Sequence, residues 1–90
     1  MTEKEILKIV IDEIDVLSNY TAAEIKELYQ PPLKDPKLSK FFPASLKHMF
    51  APNLKRRIRF VKTTDLTNEL FVTVKSLDQL IKKIQWTIHN

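Results

Sequence analysis

The sequence predicts an α+β fold in which three helices lead into a two-stranded β-hairpin and a C-terminal helix closes the chain. Three observations carry this reading. Thr2 with Glu5, Thr21 with Glu24 and Ser76 with Gln79 repeat the spacing of a capping box, each ahead of an apolar run. Two runs of strand-forming residues, Arg57 to Lys62 and Leu70 to Lys75, are joined by the polar stretch Thr63 to Glu69, which suits a hairpin loop. Prolines at 31, 32, 36, 43 and 52 punctuate the middle of the chain, where no helix can run on uninterrupted.

The first helix starts at Thr2, with Met1 and Ile6 placed as a hydrophobic staple. Its apolar positions, from Ile6 to Leu17, cover more than half of the helix circumference. Such width means either that this helix is central to the fold or that Leu7 and Ile11 on its flank meet a second protein. The second helix, Ala22 to Tyr29, buries Ile25, Leu28 and Tyr29 and is cut short by Pro31 and Pro32. Residues 31–40 (PPLKDPKLSK) read as an exposed basic loop. A third helix is expected to begin near Pro43 and end before Pro52, with Leu46, Met49 and Phe50 inward and Ser45, Lys47 and His48 outward. Phe41 and Phe42, which precede it, read as core residues rather than base-stacking platforms.

In the hairpin, alternation puts Arg57, Arg59 and Val61 on one face of the first strand and Ile58, Phe60 and Lys62 on the other. The apolar members need helices to pack against, because an isolated hairpin is marginal in water. The last helix has the clearest pattern: Leu77, Leu80, Ile81, Ile84 and Ile88 form one apolar face, with Asp78 in the first turn where the helix dipole favours it. At about 100° per residue Trp86 lies opposite that face, beside Lys82 and Lys83. An indole there is a partner anchor, a base-stacking group, or a side chain covered by loops or the chain end.

Ninety residues make one domain (1–90), near the lower limit for a core without staples. With no cysteine there is no disulfide, no thiolate nucleophile and no thiolate metal site. The N-terminus shows no basic region followed by an apolar one, so the expected compartment is the cytoplasm, with no membrane partner. The formal charge of +4 conceals a strong segregation. Residues 1–30 hold seven acids against three lysines, whereas residues 31–62 hold nine bases against Asp35 alone. Residues 63–90 are neutral. A basic block of this density is the electrostatic footprint of a phosphate-binding surface, or else a solvated face.

Glycine is absent, which excludes glycine-dependent phosphate loops. His48 and His89 lie far apart without ligand-spaced carboxylates, so no metal site is expected. Asp12, Glu13 and Asp15 alternate with apolar residues on an amphipathic helix and read as its solvated face rather than an acid–base pair. Neither an enzyme nor a cofactor is expected.

The order helix, helix, helix, ribbon, helix, with the basic block spanning the third helix and ribbon, resembles the winged helix-turn-helix class. That resemblance implies that Ser45, Lys47 and His48 face the major groove and that Arg56, Arg57, Arg59 and Lys62 act as wing contacts. The layout is also similar to small winged-helix proteins of Gram-positive phages and cassette-type mobile elements, some of which bind single-stranded DNA or accompany replication enzymes. The pattern is departed from in the long proline-rich connection before the third helix, and in a third helix without Arg or Asn for bidentate base contacts. The expected partner is therefore DNA, single-stranded or bound nonspecifically, contacted by Lys40, Ser45, Lys47, His48, Lys55, Arg56, Arg57, Arg59, Lys62 and Lys75. The alternative is an adaptor that docks on a polymerase, primase or helicase through Leu7, Ile11, Lys82, Lys83 and Trp86. A homodimer stays open.

Overall fold

The computed structural model describes residues 2–42, 52–54, 56–58 and 74–89. Helix α1 spans Glu3–Leu17, α2 spans Ala22–Leu28, a single 3-10 turn spans Leu38–Lys40, and α3 spans Leu77–His89. Residues 52–54 and 56–57 are also helical.

The helix starts follow the sequence signals, with differences in how each second half is used. The Thr2 side chain accepts from the Glu5 N–H, and the Thr2 hydroxyl donates to the Glu5 carboxylate at 3.1 Å. At α2 the box is complete: Thr21 accepts from Glu24 N–H and Glu24 accepts from Thr21 N–H. Asp15 adds a bond from Ala22 N–H at 3.1 Å, so α1 itself satisfies one of the orphan donors of α2. At α3 the Ser76 hydroxyl accepts from Gln79 N–H, but the Gln79 side chain accepts from Lys75 N–H, one residue earlier than a full box requires. Without glycine, the ends of α1 and α2 avoid the left-handed cap. Ser18 and Tyr29 turn to extended angles, and each sends its N–H back to the residue four before it.

The buried side chains form one cluster. Helix α1 packs against both α2 and α3. Ile6, Val10 and Ile14 of α1 are fully buried, as are Leu77, Leu80, Ile81 and Ile84 of α3. Most of the wide apolar arc of α1 therefore belongs to the core or packs against it, with Val16 left exposed, and Ile11, expected at a partner surface, is 1% exposed. Phe41 and Phe42 are buried as expected, with Tyr20 edge-on to Phe41 at 5.2 Å between ring centroids.

The expected α+β class with a winged helix-turn-helix hairpin is overturned. The described residues are predominantly helical and contain no sheet, only two isolated antiparallel bridges, Gln30 with Lys34 and Lys37 with Ser76. Where the first strand was expected to begin, Arg57 is helical and Ile58 N–H donates to Leu54 O at 2.8 Å. Pro52 is itself helical, as proline can be in a first helical turn. The physical reason lies in Leu54 and Ile58, four residues apart and both buried: one helical face brings them together, whereas a strand that begins at Arg57 holds Ile58 without Leu54. At the far end of the second expected strand, Lys75 O accepts from Leu38 N–H and Ser76 bridges to Lys37, so this end pairs with the loop before the 3-10 turn. The third helix expected between 43 and 51, and residues 59–73 of the hairpin, lie outside the described residues.

Because α1 and α3 meet through fully buried isoleucines, Ile14→Ala or Ile81→Ala should each cost about 2–5 kcal/mol. Urea unfolding followed by circular dichroism measures this, and a loss below about 1 kcal/mol in both would contradict the packing.

Candidate nucleic-acid interface

The basic segment is built on a loop that the rest of the protein holds in place. After α2, Gln30 and Lys34 exchange two backbone hydrogen bonds of 2.8 Å across a turn containing Pro31, Pro32 and Leu33, in which the Pro31–Pro32 peptide is cis. The chain then crosses the start of α3. Asp78 N–H donates to the Asp35 carboxylate at 2.9 Å and Leu77 N–H donates to Pro36 O at 3.0 Å. A carboxylate at a helix N-terminus satisfies an orphan N–H and complements the dipole. Asp35, the one acid of residues 31–62, is thus engaged with the protein itself. Lys34, Lys37 and Lys40 are exposed around it.

A second polar junction underlies this loop. Tyr29 Oη donates to Asp78 Oδ1 at 2.8 Å, and Lys82 Nζ lies 3.0 Å from Asp78 Oδ2. Burial, the hydrogen bond to Asp78 and the nearby charges of Asp78, Glu3 and Asp35 push the Tyr29 phenol above the ordinary tyrosine range. Burial alone would raise the Asp78 carboxyl, but hydrogen bonds from Lys82 and Tyr29, together with the Lys82 charge, outweigh it and hold the carboxyl low. The same hydrogen bond and charge hold Lys82 high.

The expected contact residues divide into three groups. Lys40, Arg56 and Lys75 are exposed, although Lys75 has its backbone N–H and carbonyl engaged. Arg57 is tied to α1: Nη1 donates to Glu13 Oε1 at 3.3 Å and Nη2 lies 3.6 Å from Asp12 Oδ2. Glu13, expected on a solvated face, is 9% exposed. Ser45, Lys47, His48, Lys55, Arg59 and Lys62 lie outside the described residues. No protein-family model matches the chain, and no curated protein or solved structure is significantly similar to it.

Among the expected partner residues, Leu7 is partly buried against the core, and with the buried Ile11 it lines an open groove whose charged lining is mixed, Lys4, Lys8 and Lys26 with Glu5 and Asp12. Trp86 is 58% exposed on α3, with Lys83 Nζ 5.1 Å from the ring centroid, a cation–π distance. Lys82 is exposed and bridges Asp78. Among the described residues no group of carboxylates and histidines has the geometry to hold a metal ion, and no helix is long and apolar enough to cross a membrane.

Sequence reasoning missed three features. Asp35 and Tyr29 meet α3 from more than forty residues away. The Arg57 pairing with α1 was foreshadowed by the charge segregation, since an acidic helix and a basic segment in one small domain attract. Leu33, overlooked in its proline-rich loop, is 92% exposed.

The polar junction has a pH signature. Asp78 titrates lower in the folded chain than in the unfolded one, so its contribution is present at neutral pH and is lost as pH falls through the carboxylate range. Tyr29 titrates higher when folded, so its contribution is present below about pH 10 and is lost above it. Tyr29→Phe should cost about 1.5 kcal/mol at pH 7 and flatten the alkaline limb, while Asp78→Asn flattens the acid limb. Urea midpoints from pH 2 to 11 measure both, and limbs unchanged in the variants would contradict the assignment.

Proposed function

We propose that the chain is a non-enzymatic nucleic-acid-binding module of the cytoplasm, which neutralises DNA phosphates with its basic middle segment as an accessory to replication or regulation. One observation carries the reading. Asp35, the single acid among residues 31–62, has its carboxylate turned onto the N-terminus of α3, while Lys34, Lys37 and Lys40 beside it face solvent. The field of the loop is therefore positive, and among the described residues none of its lysines is held in an ion pair that a polyanion would first have to break. Lysines are flexible point charges rather than planar forks, and phosphate contacts position a protein without reading sequence. Arg57, which could supply a fork, is held by Asp12 and Glu13. Both points favour nonspecific binding over recognition of a particular site.

A second reading is favoured by Trp86. An indole more than half exposed on a helix is suited to anchoring a partner protein, and the chain would then be an adaptor on a polymerase, primase or helicase. Both roles are compatible, and neither needs a cofactor.

If about six bases meet duplex phosphates, log affinity should fall against log salt with a slope near −5, and replacing Lys34, Lys37 and Lys40 by Ala should reduce that slope by about 3. Fluorescence anisotropy with labelled single-stranded and duplex DNA measures it. Absence of binding, or an unchanged slope in the triple variant, would remove the loop from the interface. For the adaptor reading, Trp86→Ala should weaken association with the replication enzyme by more than about 2 kcal/mol in calorimetry, and unchanged affinity would reject this surface.

A further inference from the structure

Leu33 differs from the other exposed large apolar side chains among the described residues. Val16 and Trp86 lie on helices, whereas Leu33 sits at the tip of a turn with 92% of its surface in water. The turn is stapled. Gln30 and Lys34 exchange two backbone hydrogen bonds of 2.8 Å beneath it, and Pro31 and Pro32 each fix one backbone dihedral. The limb that follows is fastened to α3 through Asp35 and Pro36, at 2.9 and 3.0 Å, and to the Lys75 carbonyl just before it through Leu38 N–H, at 2.9 Å. A tip held in this way loses little further freedom when a partner receives it, which is the condition under which one side chain can act as a wedge.

Its surroundings specify the partner. Lys34, Lys37 and Lys40 are exposed on the same loop, and Asp35 is turned away onto the helix. The receiving surface must carry dense negative charge and also offer an apolar slot. Duplex DNA has both, with phosphates along the groove edges and stacked base faces between them, and leucine and proline are among the side chains that proteins insert between base steps. An anionic membrane combines the same chemistries, but a single myristoyl chain gives only marginal membrane binding and one leucine side chain is far shorter. The geometry points to the turn between Gln30 and Lys34 as a wedge that enters a base step of duplex DNA from the minor groove and bends the duplex. Leu33 is the inserted group, and Lys34, Lys37 and Lys40 hold the flanking phosphates. This inference rests on the nucleic-acid reading and adds to it a strand preference and a mechanical effect.

The test uses a duplex of about 20 base pairs carrying a donor and an acceptor dye at its ends, with affinity read by anisotropy on the same samples. The wild-type chain should shorten the end-to-end distance as a kink of about 20–90° requires. Leu33→Ser, at a site too exposed to disturb the core, should bind within about tenfold of wild type yet leave the duplex straight. The Lys34, Lys37 and Lys40 triple alanine variant should lose affinity itself. A duplex bound but straight, one bent equally by Leu33→Ser, or binding confined to single strands would overturn the wedge and leave the nucleic-acid reading standing. Binding to neither form of DNA would overturn both. Leu33-dependent co-sedimentation with phosphatidylserine vesicles, without duplex bending, would assign the tip to lipid and overturn the wedge as well.

Discussion

The contact of α1 with α3 is the constraint on which the remaining structure depends. Ile6, Val10 and Ile14 have no exposed surface, nor do Leu77, Leu80, Ile81 and Ile84. Fully burying each such side chain contributes roughly 1.5–3 kcal/mol, a large share of the stability that a small domain without disulfides can reach. Once α1 is held by α3 it presents its other flank to α2, and Asp15 at its end caps the first turn of that helix. Hydrophobic burial thus sets the arrangement, and the polar groups at the helix ends are satisfied within it.

Around this core the charges are sorted by what they touch. Acids of the first helix and the loop are drawn into internal contacts: Asp12 and Glu13 with Arg57, Asp15 with α2, and Asp35 with the N-terminus of α3. Asp78 is shared between Tyr29 and Lys82. Lysines of residues 31–40 stay in water. Ion pairs this close to solvent contribute little to stability, so the consequence of the sorting is chiefly electrostatic. A positive loop faces outward, fastened to the body by hydrogen bonds to its backbone and to Asp35.

Legibility from the sequence followed the range of the interaction. Three helix starts could be read from Thr2, Thr21 and Ser76, because a cap involves residues within one turn of each other. The apolar stripe of α3 and the exposure of Trp86 opposite it follow from a period of 3.6 residues. The stretch around Ile58 is ambiguous in sequence, because a short run of β-branched, aromatic and basic residues fits a strand by propensity and a helix by the spacing of Leu54 and Ile58. Leu7 is partly buried, while Ile11 went into the core, a choice that the width of the apolar arc on α1 could not make.

By itself, then, the sequence determined where the first, second and last helices begin, which face of the last helix is apolar, and that positive charge is concentrated in the middle of the chain. Each is a local property, set by neighbours within a few residues or by composition. Tertiary structure decided that Arg57 is helical and pairs with Asp12 and Glu13, that Asp35 and Tyr29 converge on Asp78, and that Leu33 stands out from a stapled turn. Those outcomes depend on which distant surfaces are pressed together, and burial of the isoleucines and leucines of α1 and α3 selects among arrangements that local propensity leaves nearly equal in free energy.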